Sequence, residues 1–380
     1  MSTMPPARTW GRFRQTTARK KKGDPLSPAK LVKAQRRALV ERFATPDNLQ
    51  GFLQIANTLI PYAALWYAVA LSAEVSSWLV AACTLLMALF LTRVFVLMHE
   101  CGHGSVFRSG GLNRACGFLL GVLAGMPQYV WSQHHAFHHS TNGNWAKYRG
   151  PFIVDTVDDY AAMNEKQRRR YRLLRCMPML PLHAFVYVLF MPRYTWLRGT
   201  LALLWHVVRG KKAEFRARYW NSSEEYWHMT WNNVVMLALW LAMSLAIGAA
   251  LFFAVYIASV TIATTVGLII FTVQHNFPGS YASGEEGWDY HEAAIHGTSF
   301  LVLPAWLNWF TANIAYHHIH HLSASIPNYR LAECHREYQD LFAEVARVRL
   351  SEIPQALEYI LWDSRARRII SVAEFEAARA

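Results

Sequence analysis

Between Arg42 and Arg93 this chain of 380 residues has no lysine or arginine, and it has none again between Arg218 and Arg330. Charge of either sign is scarce, at 17% of residues against about 25% in soluble domains. The cations behind the net charge of +13 crowd into the first forty-odd residues ("RTWGRFRQTTARKKKGDPLSPAKLVKAQRR"), into 147–218 and into the tail. Such segregation excludes a nucleic-acid-binding surface and points to a membrane protein. Paired cysteine spacing is also absent. Cys83, Cys101, Cys116, Cys176 and Cys334 read as free thiols, which excludes a disulfide scaffold. No apolar stretch follows the basic N-terminus, so no cleavable signal peptide is expected.

Long apolar runs are what the chain has instead. A membrane-spanning helix needs roughly 20 apolar residues. The segment 52–71 fits one span and 76–98 a second, with Arg93 near its end. From 234 to 273 there is no charge, which is room for a second hairpin turning near Gly248. Both turns lack Lys and Arg. The positive-inside rule therefore puts the N-terminal arm, the middle and the tail on the cytosolic side. Two shorter runs, "ACGFLLGVLAGMPQYVW" and "PMLPLHAFVYVLFMP", are expected as interfacial or re-entrant helices. The resulting division is a basic cytosolic arm (1–50), a membrane domain (51–335) and a cytosolic helical tail (336–380). The arm is read as a segment near anionic lipid or as a solvated tail.

Seventeen histidines carry the chemistry. "MHECGHGS" contains H-E-x-x-H, with His99, Glu100 and His103. At this histidine content an H-x-x-x-H pair is expected by chance about 0.7 times, so that motif alone says little. An H-x-x-H-H triplet is expected only about 0.03 times, and the chain has two. They are His135, His138, His139 and His317, His320, His321. On a helix, residues three and four apart share a face, so each set can grip ions. Eight imidazoles are too many for one zinc, which takes about four, and suit two metals. All three sets fall on the cytosolic side of the inferred topology.

"HECGH", "HAFHH" and "HHIHH", in this order around two apolar hairpins, resemble the three histidine boxes of the membrane fatty acid desaturases, closest to the acyl-lipid group. Trp131, "HHSTNG" and "HHLSASIPNYRL" support the match, which covers roughly 50–335. Glu100 stands where the family usually carries Asp. The resemblance implies an all-α integral membrane protein, with four transmembrane helices in two hairpins and a cytosolic helical cap over a dimetal site. It implies two irons held by His99, His103, His135, His138, His139, His317, His320 and His321, with His275 of "FTVQHNF" as a further ligand. His134 and His318 are left outside the ligand set. His183, His206, His228, His291, His296 and His335 are read as surface or hydrogen-bonded residues.

Other readings explain less. A zinc protease would leave both triplets idle, and no Asp-Gly occurs to supply a third ligand. A soluble di-iron carboxylate protein would use E-x-x-H pairs, of which Glu100/His103 and Glu225/His228 are examples, but the spans do not suit it. A metal transporter or receptor would need ionisable residues inside the spans, and the last hairpin has none. Hydroxylases and ketolases of alkanes, carotenoids or lipids use related boxes, and residue types do not separate them from desaturases. The resemblance implies an acyl-lipid substrate, O2 as oxidant and membrane lipid as surroundings. No cytochrome b5-like segment or Rossmann fingerprint is visible. Electrons are then expected from a separate ferredoxin or cytochrome b5-type donor, with Arg168, Arg169, Arg170 and Arg172 as an attractive surface or as plain positive-inside residues.

Overall fold

A computed structural model describes residues 28–150, 153–210 and 219–379. Most of the basic arm lies outside these residues; its last part forms a helix, Pro28–Phe43. Among the described residues, four helices are long and apolar enough to cross a membrane: Asn48–Ala73, Ser77–Gly102, Ser223–Ile247 and Ala249–His275. They form two hairpins whose turns lie where charge is absent. In the first, Ser76 caps the second span by accepting from the Trp78 amide at 3.2 Å. In the second, Gly248 alone joins the spans at φ 86°, a conformation only glycine adopts without strain.

Packing follows the sequence pattern. The second and fourth spans lie against each other, and their inner faces (Leu91, Val94, Leu97, Met98; Val260, Val273) are the main core. Large apolar side chains on the outer faces, such as Ile60, Trp78 and Leu245, stay exposed, as expected for a surface that meets lipid rather than water. The short run after the first box is a 15-residue helix, Gly110–Ala124. The other is part of a helical run, Met177–Val208, that meets Glu165–Arg175 at 63°. This bent pair counts as a fifth, broken span or as a re-entrant segment.

One polar knot lies inside the first hairpin. Arg93, on the second span, donates from Nε to Thr58 Oγ1 at 2.9 Å and from Nη1 to the Trp309 carbonyl. Gln54, on the first span, accepts from Asn328 Nδ2 at 2.7 Å. The segments just before and just after the third box are thus tied to the second and the first span, respectively. Here the backbone turns through Ala312 and Asn313, both at positive φ.

The tail combines short helices, Ile353–Ala356 and Val372–Ala377, with strands where helices alone are expected. Ala346–Arg349 pairs in parallel with Ser299–Val302. Leu361–Asp363 pairs with Asp155–Thr156 and with Arg368–Ile370. These strands are three or four residues long; Ala346–Arg349 and, on one side, Leu361–Asp363 bond to partners distant in the chain, so helical spacing read locally could not reveal those pairings. They close a cap over one end of the spans.

Candidate metal centre

The two hairpins put the same ends of all four helices together. The N-termini of the first and third spans and the C-termini of the second and fourth face the cap, away from both turns. His99 lies in the last turn of the second span and His103 is its C-cap. His275 ends the fourth span. The second box sits on the helix Gln128–Thr141 and the third on His317–Leu322. Gly102 permits the close approach of the second-box helix, since a Cβ there would lie 2.4 Å from Ser132 Oγ.

Nine imidazoles converge. His99, His103, His135, His139 and His320 form one group, and His138, His275, His317 and His321 a second; within each, one nitrogen per residue lies within 4.8 Å of all the others. The division follows helical geometry. The i,i+4 pairs His99/His103 and His135/His139 share the first group, and the pair His317/His321 joins the second. The remaining member of each triplet, His138 or His320, crosses to the other group. Stacking of His139 on His321, with ring centroids 4.2 Å apart, joins the two.

These residues fit metal ions. Nε2 to Nε2 separations are 2.7 Å for His99–His135, 3.3 Å for His99–His103, 3.0 Å for His135–His139, 3.1 Å for His139–His320 and 3.0 Å for His275–His317. Two imidazole nitrogens bound at ~2.0–2.1 Å to one ion would stand roughly 2.9–3.4 Å apart. A neutral imidazole has one donor and one acceptor nitrogen, so five converging nitrogens cannot all satisfy each other. Both ring nitrogens of His138 and of His321 are buried without a hydrogen bond. A shared cation would satisfy these lone pairs.

Electrostatics suit the same role. Burial, with the neighbouring imidazoles adding to it, holds His135, His138, His139, His317, His320 and His321 well below the usual imidazole pKa. His103 is pushed down to about 3 by burial and by His99, with Glu100 opposing. Neutral imidazole is the form that ligates. Behind the ring of nitrogens, Glu100 is fully buried. Its Oε1 lies 2.9 Å from His99 Nδ1 and 3.6 Å from His320 Nδ1, and its Oε2 accepts from Ser105 Oγ at 3.0 Å. His275 Nδ1 faces the Gly297 carbonyl at 3.2 Å.

The first-box carboxylate thus backs two imidazoles instead of facing an open cleft, which removes the hydrolase reading of H-E-x-x-H. The fatty acid desaturase family matches residues 76–352. The chain belongs to that family. Among its relatives, a protein named fatty acid desaturase from Bacillus subtilis (strain 168) is 34% identical over 87% of this chain and 88% of its own length. A protein from Picosynechococcus sp. named sn-1 oleoyl-lipid 12-desaturase is 23% identical over 67% of each chain. One from Synechocystis sp. named sn-1 acyl-lipid omega-3 desaturase (ferredoxin) is 32% identical over 26% of this chain and 25% of its own.

In this desaturase all nine histidines proposed from the sequence come together, and the two set aside do not. His134 is exposed on the outer face of the second-box helix. His318 is buried but turned away, its Nε2 3.0 Å from His335 Nδ1. His183 bonds the Leu174 carbonyl and His228 stacks on Tyr129. Trp131 stacks on His135, with ring centroids 4.6 Å apart. Sequence reasoning missed Ser105, the Gly297 carbonyl and Tyr148, whose ring packs 5.0 Å from that of His138. None carries a motif; each is found only through its three-dimensional neighbours.

Proposed function

We propose that this family member introduces a double bond into the acyl chain of a membrane lipid, using O2 and two irons held by the nine histidines. The carrying observation is the division of nine converging imidazoles into two adjacent groups. Imidazole suits iron as well as zinc and copper, and nine ligands exceed what one ion accepts. When bound, the two irons supply the oxygen chemistry needed to take hydrogen from unactivated carbon, which no side-chain acid or base can do.

The chain's own residues bind and orient. The Glu100 carboxylate stands behind His99 and His320 as a charge partner at 2.9 and 3.6 Å, and the Gly297 carbonyl faces His275 Nδ1. Such partners fix ring orientation and raise ligand basicity. Electrons come from a separate carrier, for which a ferredoxin or a cytochrome b5-type protein is proposed; the name of the Synechocystis relative favours the former. Of the four arginines considered for docking, Arg172 contacts Glu165 and Glu376, and Arg168 bonds the carbonyls of Tyr160 and Ala161. Arg169 and Arg170 remain outward. The charge distribution supports a cytosolic metal face, with both termini on that side.

The test is the fatty-acid profile of a host expressing the chain, with metal analysis of the purified protein. A new double bond and about two irons per chain are expected. A hydroxylated product, or one zinc and no iron after iron supplementation, would overturn the proposal.

A further inference from the structure

The second-box helix has another face, turned away from the metal groups. Gln133, His134 and Phe137 stand on it, and with Tyr148, Asn221 and Glu225 they line a cavity of about 540 Å³. Its depth in the membrane can be read from its neighbours. Asn221 and Glu225 flank the start of the third span, where Ser222 is the N-cap. Trp227 and Trp231, in the first turns of that span, are both more than half exposed. Tryptophans of this kind mark the headgroup level of a bilayer. The cavity therefore opens at the depth of glycerol and its ester linkages.

Its inner wall leads to the histidines. Tyr148 lines the cavity and also packs on His138. Beside it, Tyr187 accepts a hydrogen bond from Trp131 Nε1 at 3.0 Å, and Trp131 stacks on His135. Tyr187 projects from a π-helical turn, Val186–Phe190. The following Pro192 offers no N–H to continue the regular pattern, and such turns are frequent at functional sites. Tyr148 thus stands between the cavity and His138, while Trp131 and Tyr187 pack beside His135.

The lining matches an ester better than a multiply charged carrier. Gln133 and Asn221 offer neutral amides. The Glu225 carboxylate accepts from the Asn221 backbone at 2.6 Å and from its side chain at 3.3 Å. Phe137, half exposed, gives an apolar floor for the first methylenes. We propose that this cavity seats the glycerol-ester end of the lipid substrate and that Tyr148 is the gate past which the acyl chain reaches the histidines. This rests on the desaturase reading above.

The test uses the full chain in phosphatidylglycerol vesicles, with a phosphatidylglycerol probe carrying a diazirine near the ester end of one acyl chain. Crosslinks are expected in the peptides bearing 133–148 and 221–225, competed by unlabelled phosphatidylglycerol and not by palmitoyl-CoA. Filling the cavity with His134→Trp and Phe137→Trp should raise KM for the lipid about tenfold, with a much smaller fall in kcat and the same metal content. Crosslinks elsewhere, preferential competition by palmitoyl-CoA, or an unchanged KM would overturn the proposal. Crosslinks in the cavity of a wild type that forms no double bond would support the lipid site and refute the desaturase reading. Double bonds formed with crosslinks elsewhere would do the reverse.

Discussion

Replacing Glu100 asks whether its carboxylate holds ligands or performs chemistry. The side chain has no exposure to solvent. Oε1 is 2.9 Å from His99 Nδ1, and Ser105 fixes the other oxygen. Glu100→Asp withdraws the group by one methylene, so the 2.9 Å contact lengthens by about 1 Å unless the backbone follows. A polar contact to a charged partner is worth about 1.5–3 kcal/mol, which is roughly 10–150-fold in an equilibrium constant. That range matches the ~10–100-fold loss seen when a group behind a metal ligand is changed. Glu100→Asp should therefore lower metal affinity within this range and recover double-bond yield when iron is in excess. Glu100→Ala should lose more, because two Nδ1 groups then face an apolar gap. The assay is iron content against free iron, with double-bond yield measured on the same samples. His99→Ala sets the inactive baseline. A Glu100→Asp protein that is fully loaded with iron and as inactive as His99→Ala would refute the reasoning, for the carboxylate would then have a direct chemical role.

His138→Ala and His320→Ala should each abolish double-bond formation while the protein still inserts, since the spans are held by lipid-facing burial and packing. His318→Gln should keep its metal; retained activity in the first two, or metal loss in the third, would redraw the ligand set. The metal-free protein should lose stability on acidification. Its buried imidazoles outside the spans have folded pKa values well below the unfolded value of about 6.5. Between those limits the unfolded state binds more protons, so stability falls as pH drops below about 6.5. Melting of the chelator-treated protein at pH 7.5 and 5.5 checks this, and an unchanged Tm would contradict it.

What could be read from the sequence was whatever is local. A turn near Gly248 follows from its place midway in an uncharged stretch of twice a span length. The i,i+4 pairs announce themselves by spacing, and so does the ability of each triplet to serve two ions. His275 was reached through the resemblance, not by spacing, because it stands alone. The crossing of His138 and His320 between groups depends on how the two box helices face each other, which no single segment encodes. The tail shows the same limit. Val348 and Leu361 are buried, and each pairs with a strand 47 or more residues away, Leu301 for the first and Asp155 for the second, so their surroundings are a property of the assembled cap.

Arg93 has a consequence for biogenesis. A lone arginine in a span opposes insertion by up to about 2.5–3.5 kcal/mol at mid-span, less nearer an end. The first span leaves the ribosome before the second, so Thr58 and Gln54 are already present when Arg93 reaches the bilayer, and the pair can enter as one helical hairpin. The Trp309 carbonyl and Asn328, the latter 274 residues beyond Gln54, do not yet exist. They arrive with the end of the chain, and Gln54 then bonds Asn328, just beyond the third histidine box. Insertion of the first two helices and closure of the metal centre are thereby successive steps at one cluster of side chains.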